Sequence, residues 1–314
     1  MDPVEQMPLI VGVQLGSAAL QVIADDHGVD LLQIKGPAVD PSLLATREVT
    51  DETGAIRVET VARQSVDADL LVRPAHLQRL FAAMRAHGWE MAYRFEDGSP
   101  FEHASTWLRP GLSSADVHRS FPGIGLHAEA AFDRLWADRR TMRIAGYPCV
   151  VPSLAGQRLI LLLHAVRGGE VSGGDVHRAW ERATEQERAD VDALAADLRA
   201  EVALAACTGR LDQYRHAREH DLWQALATGN RSRLALWKAR VKAQPDLWNA
   251  VRTAYWLVAP KAGRLERALG RPPTARELIG AWGDQAVVAG REVARVVGLV
   301  AGRVGRLVSR AERP

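Results

Sequence analysis

Cysteine is almost absent: Cys149 and Cys207 are the only two in 314 residues. With no paired spacing they support neither a disulfide framework nor a zinc knuckle, and a reducing compartment, the cytoplasm, is the expectation. Net charge is nearly absent too. Forty Lys and Arg against 38 Asp and Glu leave +2, which does not argue for a nucleic-acid binder, so any basic surface must be local. Long hydrophobic runs are missing as well, since the apolar stretches fall short of the ~20 residues that a spanning helix needs. The opening "MDPVEQMPLIVGVQLG" is acidic before its apolar run and has no basic n-region, so it is not expected to act as a secretory signal. No internal repeat or low-complexity tract stands out. What remains, 47% apolar and 25% charged, is ordinary globular chain, long enough for two domains or for one core with a large appendage.

Periodicity predicts mixed elements first and helices afterwards. Residues 5–26 have helical spacing, and "VDLLQI" (29–34) reads as a short buried strand leading into "KGPAVDPSLLA". The polar, β-branched stretch that follows suits a hairpin or an insertion near 47–60. "SVDADLLV" is a strand, and a helix follows from Pro74 to the stop at Gly88, with Leu77, Leu80, Phe81 and Met84 on one face. "WEMAYRF", "HASTWLRP" and "SADVHRS" are further strands, "AEAAFDRLWADRR" is a helix, and "TMRIAGYPCVVP" closes the mixed region. Beyond Pro152 the chain is rich in Ala, Leu and Arg at helical spacing. The predicted class is α+β, with a mixed-sheet core over 1–152 and a helical domain over 153–314.

Two charges interrupt the most strand-like segment. Alternation places Asp67 and Asp69 on one side and Val66, Ala68, Leu70 and Val72 on the other. Two carboxylates so close repel, and each is driven towards protonation unless a cation lies between them. Magnesium or manganese, which prefers carboxylate oxygen and keeps sites for water and phosphate, is the natural occupant. The plain alternative is a sheet surface showing polar residues to water. Three neighbours favour the cation: Lys35-Gly36 at a strand end, where backbone N–H groups and an ammonium can receive phosphate, Arg63 four residues before Asp67, and Asp116 on a later strand.

In order along the chain, Lys35-Gly36, Arg63, Asp67-Ala-Asp69-Leu-Leu-Val, Gly88-Trp89, Asp116-Val-His118, "LILLLHAVRGG" with His164 and "DVHRAW" with Asp175 resemble the uncharacterised nucleotidyltransferase family, a branch of the polymerase-beta-like superfamily. The resemblance spans roughly residues 20–185 and departs from the superfamily where a Gly-Ser signature gives way to "KGPAVD". There Pro37 offers no N–H to a phosphate. It implies that Asp67, Asp69 and Asp116 form a metal-binding acidic triad, with Asp116 near the acceptor. It also implies a nucleoside triphosphate such as ATP as donor and transfer of a nucleoside monophosphate, or a phosphoryl group, to a hydroxyl or amine. Lys35, Gly36, Arg63 and His118 are the expected donor-binding residues. Arg63 could instead pair with the aspartates, and His118 could orient a carboxylate rather than touch a ligand. His164 is expected to be a core histidine. His103, His127 and His177 have no ligand spacing.

The acceptor is not written in the chain; a small molecule, sugar or peptide is favoured over nucleic acid. Two other classes stay open: a degenerate transferase fold kept as a binding or regulatory module, and a peripheral membrane adaptor. The second draws on 285–314, where six arginines flank Val293, Val296, Val297, Val300, Val304, Leu307 and Val308, a pattern suited to an anionic membrane surface, a partner helix or simple docking on the domain.

Overall fold

The computed structural model describes residues 7–50, 54–97, 101–229, 232–244, 246–259, 262–283 and 287. The terminal stretch 288–314, and with it most of the basic pattern read above, lies outside the described residues. Contacts divide the chain into two compact units, Met1–Arg215 and His216–Pro314.

The first unit begins with helix α1 (Leu9–Asp26) and strand β1 (Leu31–Gln33). An exposed hairpin of β2 (Ala45–Thr50) and β3 (Ile56–Val61) follows, so the 47–60 segment is a hairpin projecting from the core. Then come β4 (Asp67–Val72), α2 (Leu77–Ala86), β5 (Glu90–Tyr93), β6 (Ala104–Leu108) and β7 (Ser114–His118). Five strands join in the order β1-β4-β7-β6-β5, with β4 and β7 parallel and the other pairs antiparallel. This mixed sheet with helices is the α+β fold expected.

Alternation decides the faces. Ala68, Leu70 and Val72 of β4 and Ala115 and Val117 of β7 pack with Leu20 and Ile23 of α1, Leu80 and Met84 of α2, and Trp89 and Trp107 in one buried core. The polar positions of the same strands are turned to the opposite face. Helix α1 is long and apolar enough to pass for a membrane span, contrary to the reading of the sequence. Half of that stretch is nevertheless buried inside the fold, as a core helix is.

After α3 (Ala128–Ala137), a hairpin of β8 (Arg140–Ile144) and β9 (Tyr147–Val151) ends the mixed region, beside the compositional change at Pro152. Helix α4 (Leu154–Gly168) is capped by the Ser153 hydroxyl, which accepts from the Gly156 N–H at 3.2 Å. It is followed by one turn, α5 (Gly174–Val176), a π turn over His177–Glu181, α6 (Glu185–Asp197) and α7 (Glu201–Cys207). These helices belong to the first unit, so the helical stretch expected from 153 is shared between the two units. The second unit holds α8 (His220–Ala227), α9 (Arg233–Lys242), α10 (Leu247–Val258) and α11 (Ala262–Leu269).

Candidate active site

Register brings the carboxylates together. In the parallel pairing of β4 with β7, Asp69 lies opposite Asp116 and Leu71 opposite His118, so all four project from the face away from the hydrophobic core. A ligand atom from each of Asp69, Asp116 and His118 lies within 4.8 Å of the others. Asp67, one alternation earlier on β4, faces the same side, and the charges of Asp69 and Asp116 both act on it.

Lys35 arrives from the neighbouring strand. Antiparallel pairing of β1 with β4 continues past Gln33, where the Ile34 N–H donates to the Asp69 carbonyl at 2.9 Å. The next residue therefore sits beside Asp69, and Lys35 Nζ contacts Asp69 Oδ1 at 2.7 Å with both side chains buried. Its backbone is at φ 60 and ψ −168, a region that glycine favours. A bend that costs about 1–3 kcal/mol elsewhere is held here by the ion pair and by the Ala38 N–H donating to the Lys35 carbonyl at 2.9 Å. Gly36 follows at φ +49, and a Cβ there would come within 3.2 Å of the Ser65 side chain, so only glycine lets the turn close against the start of β4. The turn is a three-residue 3-10 segment, Gly36–Ala38. Pro41 lacks the N–H that would donate back to the Pro37 carbonyl and extend it.

His118 Nε2 donates to Asp69 Oδ1 at 3.0 Å; the ring is 1% exposed and its Nδ1 has no partner among the described residues. Burial alone would raise the Asp69 carboxyl, but the Lys35 ammonium and the His118 hydrogen bond hold it well below the usual range. Burial pushes the imidazole itself down, so it serves as a neutral donor that orients Asp69. Asp116 is oriented by Thr106 Oγ1, which donates to its Oδ1 at 2.6 Å. Among the described residues, the Ser65 hydroxyl reaches the Asp67 carboxylate, at 3.4 Å from Oδ1. Burial, then Asp69 and Asp116, push its carboxyl up to about 6.

That value sets a pH dependence. The folded protein holds the Asp67 proton more tightly than the unfolded chain, whose value is 3.8. The resulting stabilisation is complete below about pH 4 and is lost as pH rises through 6. Thermal melts of metal-free protein across this window should show the decline in wild type and not in Asp67→Asn. Equal declines would show that Asp67 is not the titrating group.

Arg63 points elsewhere. Its guanidinium pairs with Asp175 at 3.0 Å, and Arg178 shares the same carboxylate at 2.9 Å while donating to the Leu43 carbonyl. A salt bridge from Arg63 to the strand aspartates, one of the two expectations, is therefore replaced by one to a residue 112 positions later in sequence. Asp175 holds the arginine that precedes the strand. A cavity of about 120 Å³ lies beside this segment, lined by Val13, Gln14, Gly36, Pro37, Arg63 and Ser65 among others.

Three residues of the site surroundings were given no part in the site by the sequence, where His164 was expected to be a core histidine. His103, on the approach to β6, accepts from Arg167 Nη1 at 2.6 Å, and its ring centroid is 5.1 Å from that of His118. Burial pushes its imidazole down to about 2, keeping it neutral. The Arg167 guanidinium feels Asp69 and Asp116. His164, three residues earlier on α4, is half-buried and not in the closed core; burial, then Lys35 and Arg167, push it down to about 3. The only local signal was the i, i+3 spacing of His164 and Arg167, which gives one helix two polar side chains on a shared face.

Three groups of comparisons bear on this arrangement. The sequence profile of a family described as uncharacterised nucleotidyltransferase matches residues 59–215, half of the chain. No curated protein matches. Among solved structures, the chain is similar to the antibiotic-resistance factor ANT(2'')-Ia in solution, at 16% identity over 68% of this chain and 100% of that one, TM-score 0.35. A crystal structure of ANT(2'')-Ia in complex with adenylyl-2''-tobramycin gives 15%, 61% and 94%, TM-score 0.31. An antigenic nucleotidyltransferase-like protein from Paracoccidioides brasiliensis gives 15%, 69% and 93%, TM-score 0.32. By the match over residues 59–215, which takes in Asp67, Asp69, Asp116 and the helices that follow, the chain belongs to the uncharacterised nucleotidyltransferase family and is a transferase.

Proposed function

We propose that the protein is a metal-dependent nucleotidyltransferase that moves a nucleoside monophosphate from a nucleoside triphosphate, ATP among the candidates, to a hydroxyl or amine of a small acceptor. The observation that carries this reading is the in-register meeting of Asp69 and Asp116 on adjoining strands with Asp67 beside them. The donor set fits a hard divalent cation: three carboxylates share one face, and Lys35 and His118 satisfy only Asp69. Burial, then the negative charge of Asp69 and Asp116, pushes Asp67 up, and a cation would relieve the repulsion. Held by Asp67, Asp69 and Asp116, magnesium or manganese would supply charge neutralisation at the phosphates.

The chain's own residues supply the rest. Asp116, steadied by Thr106, is placed to take the proton of the attacking hydroxyl. The oxygen so freed bonds to the α-phosphorus, and the bond from that phosphorus to the bridging oxygen breaks, so pyrophosphate leaves with its electron pair. Lys35, at the turn beside Asp69, and Arg167, whose charge senses both aspartates, are the cations available to phosphate oxygens. His118 and Thr106 act through the carboxylates they orient. Arg63 and Gly36 border the cavity beside Ser65.

The test is thermal stabilisation by each ribonucleoside triphosphate, with and without magnesium or manganese, in wild type and in Asp67→Asn/Asp69→Asn. A ligand at 100 times its dissociation constant stabilises by ~2.7 kcal/mol, a shift of a few degrees. Stabilisation by one triphosphate, dependent on metal and lost in the double variant, is expected. Stabilisation that ignores metal and survives the double variant would remove the aspartates from the reading.

A further inference from the structure

We infer that the second unit docks on an anionic lipid surface through the outer face of α10. Among the described side chains of this helix, large apolar ones face water. Leu247, Trp248 and Val251 are 81%, 76% and 54% exposed, while Ala250, Thr253 and Ala254 are small and half-buried. At about 100° per residue the three large side chains fall within a single arc of the helix surface. Asp246 fixes where the arc begins: its carboxylate accepts from the Asn249 N–H at 2.8 Å and caps the helix just before Leu247. Ile279 and Trp282, three residues apart on the helical stretch 275–283, are exposed in the same unit.

Charge identifies the occupant. The near-neutral chain is divided: residues 216–314 contain 18 basic and 8 acidic residues, and residues 1–215 contain 22 basic and 30 acidic. A +10 unit presenting Leu, Val and Trp side by side combines the two terms of interfacial binding, apolar insertion and attraction to acidic headgroups, with tryptophan suited to the boundary between them. The same charge disfavours the other ways of covering the face. A second copy of this unit, or the arginine-rich stretch 285–314, would bring like charge against like. A phosphate backbone would meet the charge and leave the aliphatic side chains unused.

The experiment is cosedimentation of the full chain with vesicles of phosphatidylcholine alone and with vesicles that also contain phosphatidylglycerol. Binding to the anionic vesicles only, weakened by salt, is expected. Leu247→Asp/Val251→Asp should lower it by about tenfold or more. Leu247→Lys/Val251→Lys should lower it as well, although it adds positive charge, because the inserted apolar area is gone. Both pairs lie on the surface, and an unchanged thermal midpoint reports an intact fold. Absence of pelleting, or lysine variants that pellet as wild type does, would overturn the proposal. So would binding of a single-stranded RNA homopolymer in place of vesicles, or a dimer in light scattering that the aspartate pair dissolves without any vesicle binding.

Discussion

Asp69→Asn should lower nucleotidyl transfer by at least about a thousandfold, measured as pyrophosphate release at saturating triphosphate and metal. Asp69 is the point where Lys35, His118 and the facing Asp116 converge. The amide keeps the shape and removes the charge, so a metal held by the carboxylates loses its most deeply placed ligand. Asp116→Asn is the companion variant. It leaves the Lys35 ion pair whole and should lose activity to a similar degree with little change in thermal midpoint. A variant at either position that retains turnover within tenfold of wild type would remove that carboxylate from the chemistry.

Lys35→Met should have the largest effect on stability, destabilising the metal-free protein by about 3–5 kcal/mol, the usual result of leaving one member of a buried pair without its partner. The side chains of Lys35 and Asp69 are 7% and 4% exposed, so water screens little of their attraction. Two further results separate this from simple damage to the turn. Lys35→Met/Asp69→Leu, which replaces both charges by apolar groups, should recover most of the loss. On the proposed reading, magnesium or manganese should stabilise Lys35→Met more than wild type, because in wild type the cation would compete with the ammonium for Asp69 Oδ1. Chemical denaturation with and without metal measures both. Equal stabilisation of the two proteins by metal would show that Lys35 and the cation do not share that oxygen.

The carboxylates were legible because a strand writes its faces at every second residue: Asp67 and Asp69 among Val66, Ala68 and Leu70, then Asp116 and His118 around Val117, needed only the period of two. That the two strands are neighbours and parallel could be anticipated from the family resemblance but not from the period. Lys35 was legible as a strand end, although its ion pair depends on the register of β1 with β4, which no local pattern states. Arg63 shows the limit more sharply. Its partner Asp175 is on a helix 112 residues away, and a guanidinium with several carboxylates in reach is assigned only by the fold. The meeting of His103 with Arg167 carries no spacing signal because they come from separate elements brought together by packing. The strands end at Val151, beside the compositional change at Pro152, yet α4 to α7 belong to the same compact unit as the strands they follow, and composition does not say with what a helix will pack.

The pairing of Asp69 with Asp116 joins residues 47 positions apart, with α2, β5 and β6 formed between them. Parallel strands close only after such a detour, and the entropy of that long loop is lost before the pairing gives anything back. A slip of one residue would seat Ala115 or Val117 opposite Asp69 and turn Asp116 into the hydrophobic layer, where a carboxylate is costly. Charge and register thus police each other during folding. The chain cannot settle into a nearly correct sheet without burying an acid, and the same placement that suits the aspartates to chemistry acts as a proofreading step in the assembly of the protein.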